Sequence, residues 1–270
     1  MTSATSTNHV VCVHGVDIHY VGFEKCWKCA IDRHLGGTID FNFTAVMWNC
    51  KDDDIHIAAD CDADFPAGWI KVDPDRGIED AIDYVKHRRL ENAFRTEAIR
   101  RCRVELARIR SKHPQDAIHV IGHSLGSVIA YQALHGLGES LGVRTLITVG
   151  SVLNFDLGIV PLLEYEMRPG PGEKLKRPPV GKWVNIMDYR DFCFQLTEES
   201  VFEKFEYGPD DLDITGDVFE SQGHCPALPP IDAGPIFSRT INDESVCAHL
   251  YYFDLESNAG RIMAKALENR

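Results

Sequence analysis

Positive charge is scarce in this 270-residue chain: 28 lysines and arginines stand against 41 aspartates and glutamates, a formal net charge of −13. Nucleic-acid binding needs a basic surface that displaces counterions from phosphates, so the balance argues against that class of partner. It disfavours adhesion to anionic membranes for the same reason. Long apolar runs are missing too, and no integral membrane segment is expected. The opening residues, MTSATSTN, contain neither a basic stretch nor an apolar core, so residues 1–8 read as a disordered lead-in rather than an export signal. Internal repeats and low-complexity tracts are absent.

The cysteines also lack a pattern. There are 9 of them, an odd number scattered along a chain without an export signal, which reads as reduced thiols in a cytoplasm. Cys26 and Cys29 lie in CWKC, but no second C-x-x-C or H-x-x-x-H follows at zinc-site spacing. No metal and no other cofactor is therefore expected, and the two thiols read as packing residues.

What is present is a series of short apolar runs separated by helical patterns. Candidate strands are His9–Val13, Phe43–Trp48, Ala117–Ile121, Thr145–Val149 and Trp183–Met187. Helical spacing marks Glu24–Leu35, Ile78–His113, the stretch after Ser124 and Ser257–Glu268. Apolar strands alternating with helices indicate βαβ units, hence a mostly parallel sheet covered by helices on both faces. One α/β domain over residues 1–270 fits this length. Residues 50–77 and 197–243 are turn-rich and read as inserts around the site, the first a candidate flap containing Trp69. Residues 160–182, rich in proline, glycine and lysine, read as a long loop.

The sharpest motif is Gly122-His123-Ser124-Leu125-Gly126, set between an apolar run and a helical pattern. Side chains at the two flanking positions would obstruct a tight strand-to-helix turn, which explains the glycines. The pattern is the G-x-S-x-G nucleophile elbow, which presents a serine at the carboxyl end of a strand. Serine needs a hydrogen-bonded base, and the base needs an orienting acid. Of the 12 histidines, His14, His119 and His123 are near the motif in sequence. His123 precedes the serine and should point away across the turn, while His14 should shape a neighbouring loop. A late loop histidine fits the base, which leaves His249, anchored by a following aromatic cluster and helix, and His224, in a turn-rich surface segment. The acid is expected after the strand Trp183–Met187, at Asp188 or, with more reach, at Asp191. An oxyanion needs two preorganised N–H groups. Leu125 at the helix start and Val16 in the HGV loop are the candidates.

Taken together, VCVHGV, VIGHSLGSVIAYQAL, ITVGS, WVNIMDYRDF and AHLYYF resemble, in order and spacing, the α/β-hydrolase superfamily, most closely its bacterial lipase- and esterase-like serine hydrolases. The resemblance implies the α/β-hydrolase fold, with Ser124 as nucleophile, Asp191 as acid, His249 as base, and the N–H groups of Val16 and Leu125 as oxyanion hole. It implies cleavage of a small-molecule acyl ester, with a thioester or amide as alternatives and a non-catalytic binding protein as the contrasting reading. Relatives often carry proline after the acid, whereas Phe192 stands here.

Overall fold

The computed structural model describes residues 7–16, 20–21, 23–35, 40–48, 56–57, 84, 93–153, 155, 159–167, 169–195, 204–206, 210–213, 249, 251–253 and 258–268. Its strands are β1 (Asn8–Val13), β2 (Tyr20–Val21), β3 (Phe41–Val46), β4 (His56–Ile57), β5 (Ala117–His123), β6 (Val143–Val149), β7 (Val180–Met187) and β8 (Asp210–Asp213). Six of them form one sheet in the order β3-β1-β5-β6-β7-β8, and every pairing is parallel. The two-residue strands β2 and β4 pair with each other. Helices α1 (Phe23–Asp32), α2 (Ala93–Lys112), α3 (Leu125–Leu137), α4 (Ile159–Met167), α5 (Phe192–Gln195) and α6 (Asn258–Glu268) complete the described elements.

Strand alternation divides the core between the two faces of the sheet. Val11, Val13, Ile118, Val120, Leu146 and Trp183 face one way, against Ala98, Cys102 and Leu106 of α2, most of α3, and Leu162 and Leu163 of α4. Val10, Cys12, Ile121, Ile147, Val149 and Ile186 face the other way, against Trp27 and Ile31 of α1 and Met263 and Leu267 of α6. Burial on both faces accounts for runs such as VVCV and TLITV, which are apolar throughout rather than alternating. This is the mostly parallel, doubly covered α/β sheet read from the sequence.

The differences have local causes. Part of the expected loop at 160–182 is helix α4, with Pro161 in its first turn, where a missing N–H costs no helical hydrogen bond. Gly181, the second residue of β7, sits close against the Arg144 carbonyl. Within 197–243 the acidic run DDLD forms edge strand β8, paired with Val184–Met187. Its strand character comes from the neighbouring ladder, since aspartate has little intrinsic preference for sheet. Most of 50–77 and of 197–243, with Trp69 and His224, lies outside the described residues, as do residues 1–6. Asn8, placed in the lead-in by the sequence, is the first residue of β1.

The thiols also depart from expectation. Cys29 is disulfide-bonded to a partner outside the described residues, while Cys12, Cys26, Cys102 and Cys193 are free. Cys26 and Cys29 of CWKC are therefore not bonded to each other. Burial, then the nearby Glu24 carboxylate, pushes the Cys26 thiol up to about 12, far from a reactive thiolate. Among the described residues, no helix is long and apolar enough to cross a membrane.

Candidate active site

Ser124 stands between β5 and α3, at the carboxyl edge of the sheet. Its backbone has φ 52° and ψ −128°, and it is the one non-glycine residue with positive φ among the described residues. Such a conformation costs on the order of 1–3 kcal/mol and persists only where the surroundings enforce it. The surroundings here are tightly packed. A Cβ on Gly126 would lie 2.2 Å from the Val13 carbonyl oxygen, and one on Gly122 would lie 2.7 Å from Ser127 Cα. The Ser124 N–H donates to the Val149 carbonyl (2.9 Å), and the Ser124 carbonyl accepts from Ser127 N–H (3.0 Å) and Ser127 Oγ (2.5 Å). Ser127 Oγ in turn meets Ser151 Oγ at 2.7 Å, locking the first turn of α3 to the end of β6.

The loop after β1 closes over the serine. Gly15 packs so near that a Cβ there would come within 2.7 Å of Ser124 Cβ and 3.3 Å of its Oγ. His14 shapes this loop as expected: its Nδ1 meets the Gly15 carbonyl at 2.6 Å, and its own carbonyl accepts from Trp48 Nε1 at 2.8 Å. The His14 ring stacks on Trp48, with centroids 5.1 Å apart. Val16 follows Gly15 and is half-buried, and Leu125 opens α3, so both are neighbours in sequence of the Ser124–Gly15 contact. The positive end of a 13-residue helix therefore abuts the serine, a setting that favours developing negative charge.

Asp191 and His249 meet beside this elbow. His249 Nδ1 lies 2.9 and 3.0 Å from the two Asp191 carboxylate oxygens, and both residues are buried. Asp191 has two further donors: the Cys193 N–H to Oδ1 at 2.7 Å, from the first turn of α5, and Tyr252 Oη to Oδ2 at 2.8 Å. Gly150, just past β6, has φ 50° and passes so close that a Cβ would lie 2.9 Å from Asp191 Oδ2 and 3.1 Å from His249 Nδ1. Because Val149 receives the Ser124 N–H and Gly150 touches the Asp191–His249 pair, one short segment joins all three residues. No hydrogen bond joins Ser124 Oγ to His249 among the described residues.

Asp188, the alternative acid, is occupied elsewhere. It is fully buried and held by Arg190, Nη2 to Oδ2 at 2.8 Å and Nε to Oδ1 at 3.0 Å, and it accepts the Arg190 N–H as a turn cap. Its own N–H donates to Tyr252 Oη at 2.7 Å. Tyr252 therefore receives a proton from the backbone of one aspartate and gives one to the carboxylate of the other. Burial and then the Asp191 charge push its phenol well above the usual range, so it remains a donor. The sequence read Tyr252 only as part of an anchoring aromatic cluster.

His123 turns towards His249. Its Nε2 meets the His249 carbonyl at 2.9 Å, and the two rings lie 4.7 Å apart. Complete burial, reinforced by the neighbouring His249 and His14, drives its pKa well below the ordinary value, so the ring is neutral and donates to that carbonyl. Cys193 Sγ lies 3.5 Å from His249 Nδ1. Asp191, Cys193 and His249 together offer metal-ligand atoms within 4.8 Å of one another, but the Asp191 carboxylate already accepts from His249, the Cys193 N–H and Tyr252.

A strained serine between a parallel strand and a helix, at the carboxyl edge, with Asp and His following in chain order, settles the architecture. The fold is the α/β-hydrolase fold. No protein-family model matches the chain, and no curated protein does. Among solved structures, an uncharacterized protein from Bacillus cereus ATCC 10987 is similar with a TM-score of 0.40 and 15% identity, covering 79% of this chain and 54% of its own, so this chain spans about half of that one. An acetylxylan esterase is similar at 0.39 and 11% identity, over 98% of this chain and 100% of its own. A cutinase-like protein from Cryptococcus sp. follows at 0.32 and 13%, over 80% and 81%. Likenesses this distant transfer no chemistry to this α/β-hydrolase-fold chain.

Proposed function

We propose that the chain is a serine hydrolase that cleaves small-molecule carboxylic esters through an acyl-enzyme. The observation that supports this most is the buried His249–Asp191 pair, 2.9 Å apart, next to a serine held at positive φ. With Nδ1 committed to Asp191, His249 has Nε2 available to accept the Ser124 proton. The serine oxygen then adds to the ester carbonyl, and the resulting oxyanion is taken up by the N–H groups of Val16 and Leu125. Collapse expels the alcohol with a proton returned from His249, leaving Ser124 acylated. Water, deprotonated by the same imidazole, releases the acid and restores the hydroxyl. Asp191 stabilises the imidazolium and fixes its tautomer throughout.

A triad does not choose its leaving group, so thioesters and amides are second substrates of the same machinery. The test is twofold. Ser124→Ala should leave the fold intact and lower p-nitrophenyl ester turnover by roughly a thousandfold or more. A serine-directed fluorophosphonate should label the wild-type chain and not the variant. A folded wild type that neither takes the label nor hydrolyses short- or long-chain esters would reduce the site to a binding module.

A further inference from the structure

We propose that His9, His113 and Asp116 form a binding site for a divalent transition-metal ion of the zinc type, at the pole of the molecule opposite Ser124. One comes from β1 and two from the turn between α2 and β5. His9 is the second residue of β1, His113 follows the last residue of α2, and Asp116 precedes β5. Both imidazoles converge on one carboxylate oxygen: His9 Nε2 lies 3.1 Å and His113 Nδ1 3.4 Å from Asp116 Oδ2. All three ligand atoms lie within 4.8 Å of one another.

These separations suit a metal. Zinc bonds of about 2.0–2.1 Å in a tetrahedron place neighbouring ligand atoms roughly 3.3–3.4 Å apart. The two imidazole–carboxylate distances are close to that spacing, and the two ring nitrogens lie within 4.8 Å of each other, on rings whose centroids are 4.5 Å apart and tilted by 38°. Two imidazoles and one carboxylate are the donors preferred by zinc and its neighbours in the first transition row, whereas magnesium and calcium prefer all-oxygen sets. Three protein ligands leave one position for water.

The cradle is preorganised and accessible. The His113 N–H closes the end of α2 on the Ile109 carbonyl at 2.8 Å, and Asp116 N–H donates to the His113 carbonyl at 3.3 Å. Arg110 Nη1 clamps the same turn by donating to the carbonyls of His113, Pro114 and Asp116 at 3.3, 2.8 and 2.9 Å. That guanidinium is the positive group beside the site, and the net charge of −13 offsets its repulsion of a cation at longer range. His9 is buried while the His113 side chain is 45% exposed, so an ion can enter from the His113 side. Eight residue rises separate Asp116 from Ser124 along β5, roughly 25 Å, so the ion would act as a staple between β1 and the α2–β5 turn and take no part at the serine.

The test uses the full chain without an affinity tag, stripped of metal and titrated calorimetrically with zinc chloride. One zinc per chain is expected, together with a rise in the midpoint of thermal unfolding. Affinity should fall at least tenfold in both His113→Ala and Asp116→Asn, and the thermal shift should vanish with it. Cobalt in the same site should show d–d absorption without a thiolate charge-transfer band. Ester turnover should stay within about twofold of wild type in both variants, which separates this site from the serine. Absence of zinc binding, affinity unchanged in both variants, or a thiolate band from cobalt would each overturn the assignment.

Discussion

At the carboxyl edge of the sheet, Asp191 holds a single imidazole, and its remaining acceptor positions are filled by the Cys193 N–H and the Tyr252 hydroxyl. At the amino edge, Asp116 faces two imidazoles, and its side chain is 19% exposed. The first arrangement is closed: each donor is an N–H or O–H of the protein, so it fixes the tautomer of one ring and excludes other cations. The second is open, with two ring nitrogens converging on one oxygen and solvent on one side. On the two proposals above, the same two residue types would serve proton chemistry or metal ligation according to what fills the rest of the carboxylate.

The comparison breaks most sharply if the aspartates are exchanged for asparagine in turn. Asp191→Asn, like His249→Ala, should lower kcat by orders of magnitude, because the imidazole loses both its tautomer and its countercharge. Asp188→Asn should cost about tenfold or less, and Asp116→Asn about twofold or less. Steady-state kinetics on the four variants, with circular dichroism as a folding check, measures this ordering. If Asp188→Asn proves the crippling change, the acid has been misplaced.

A smaller effect tests whether closure of the carboxylate matters. Tyr252→Phe removes one donor from Asp191 and one acceptor from the Asp188 N–H. It should lower kcat roughly tenfold with little change in KM, and destabilise the fold by about 1–3 kcal/mol. A variant with a normal kcat and only a lower melting temperature would make Tyr252 a packing residue.

An effect confined to stability, with none on turnover, lies between the poles. His119, in the middle of β5, is buried with neither ring nitrogen partnered, and burial followed by the Arg144 charge lowers its pKa to about 4. The unfolded chain takes up a proton at this residue below about pH 6.5, and the folded chain does so only near 4. Stability is therefore lost as pH falls across that window, by about 3 kcal/mol from this residue. His119→Leu should flatten that part of the profile in denaturant titrations. An unchanged slope would mean that His119 ionises in the folded chain.

Legibility in the sequence followed the range of the cause. The elbow was readable because Gly122, Ser124 and Gly126 satisfy a steric requirement within five residues. Strands β6 and β7 were readable because both of their faces are buried. Asp191 and His249 could be ranked by reach and anchoring, and the structure brings those two together. Features that depend on partners distant in sequence were not legible. Strand β8 takes its form from the ladder of β7, and the role of Tyr252 exists only through its two aspartates. His123 reads as turning away until the His249 carbonyl is placed beside it. The convergence of His9, His113 and Asp116 has no local signature, and neither does the disulfide of Cys29.

The fastening of His249 has a further consequence. Its ring is tied to Asp191 and its carbonyl to His123, so His249 is held at once by the turn after β7 and by the last residue of β5. A substitution at Asp191 or at His123 would then loosen one end of the same residue, ring or backbone, while the other stays fastened.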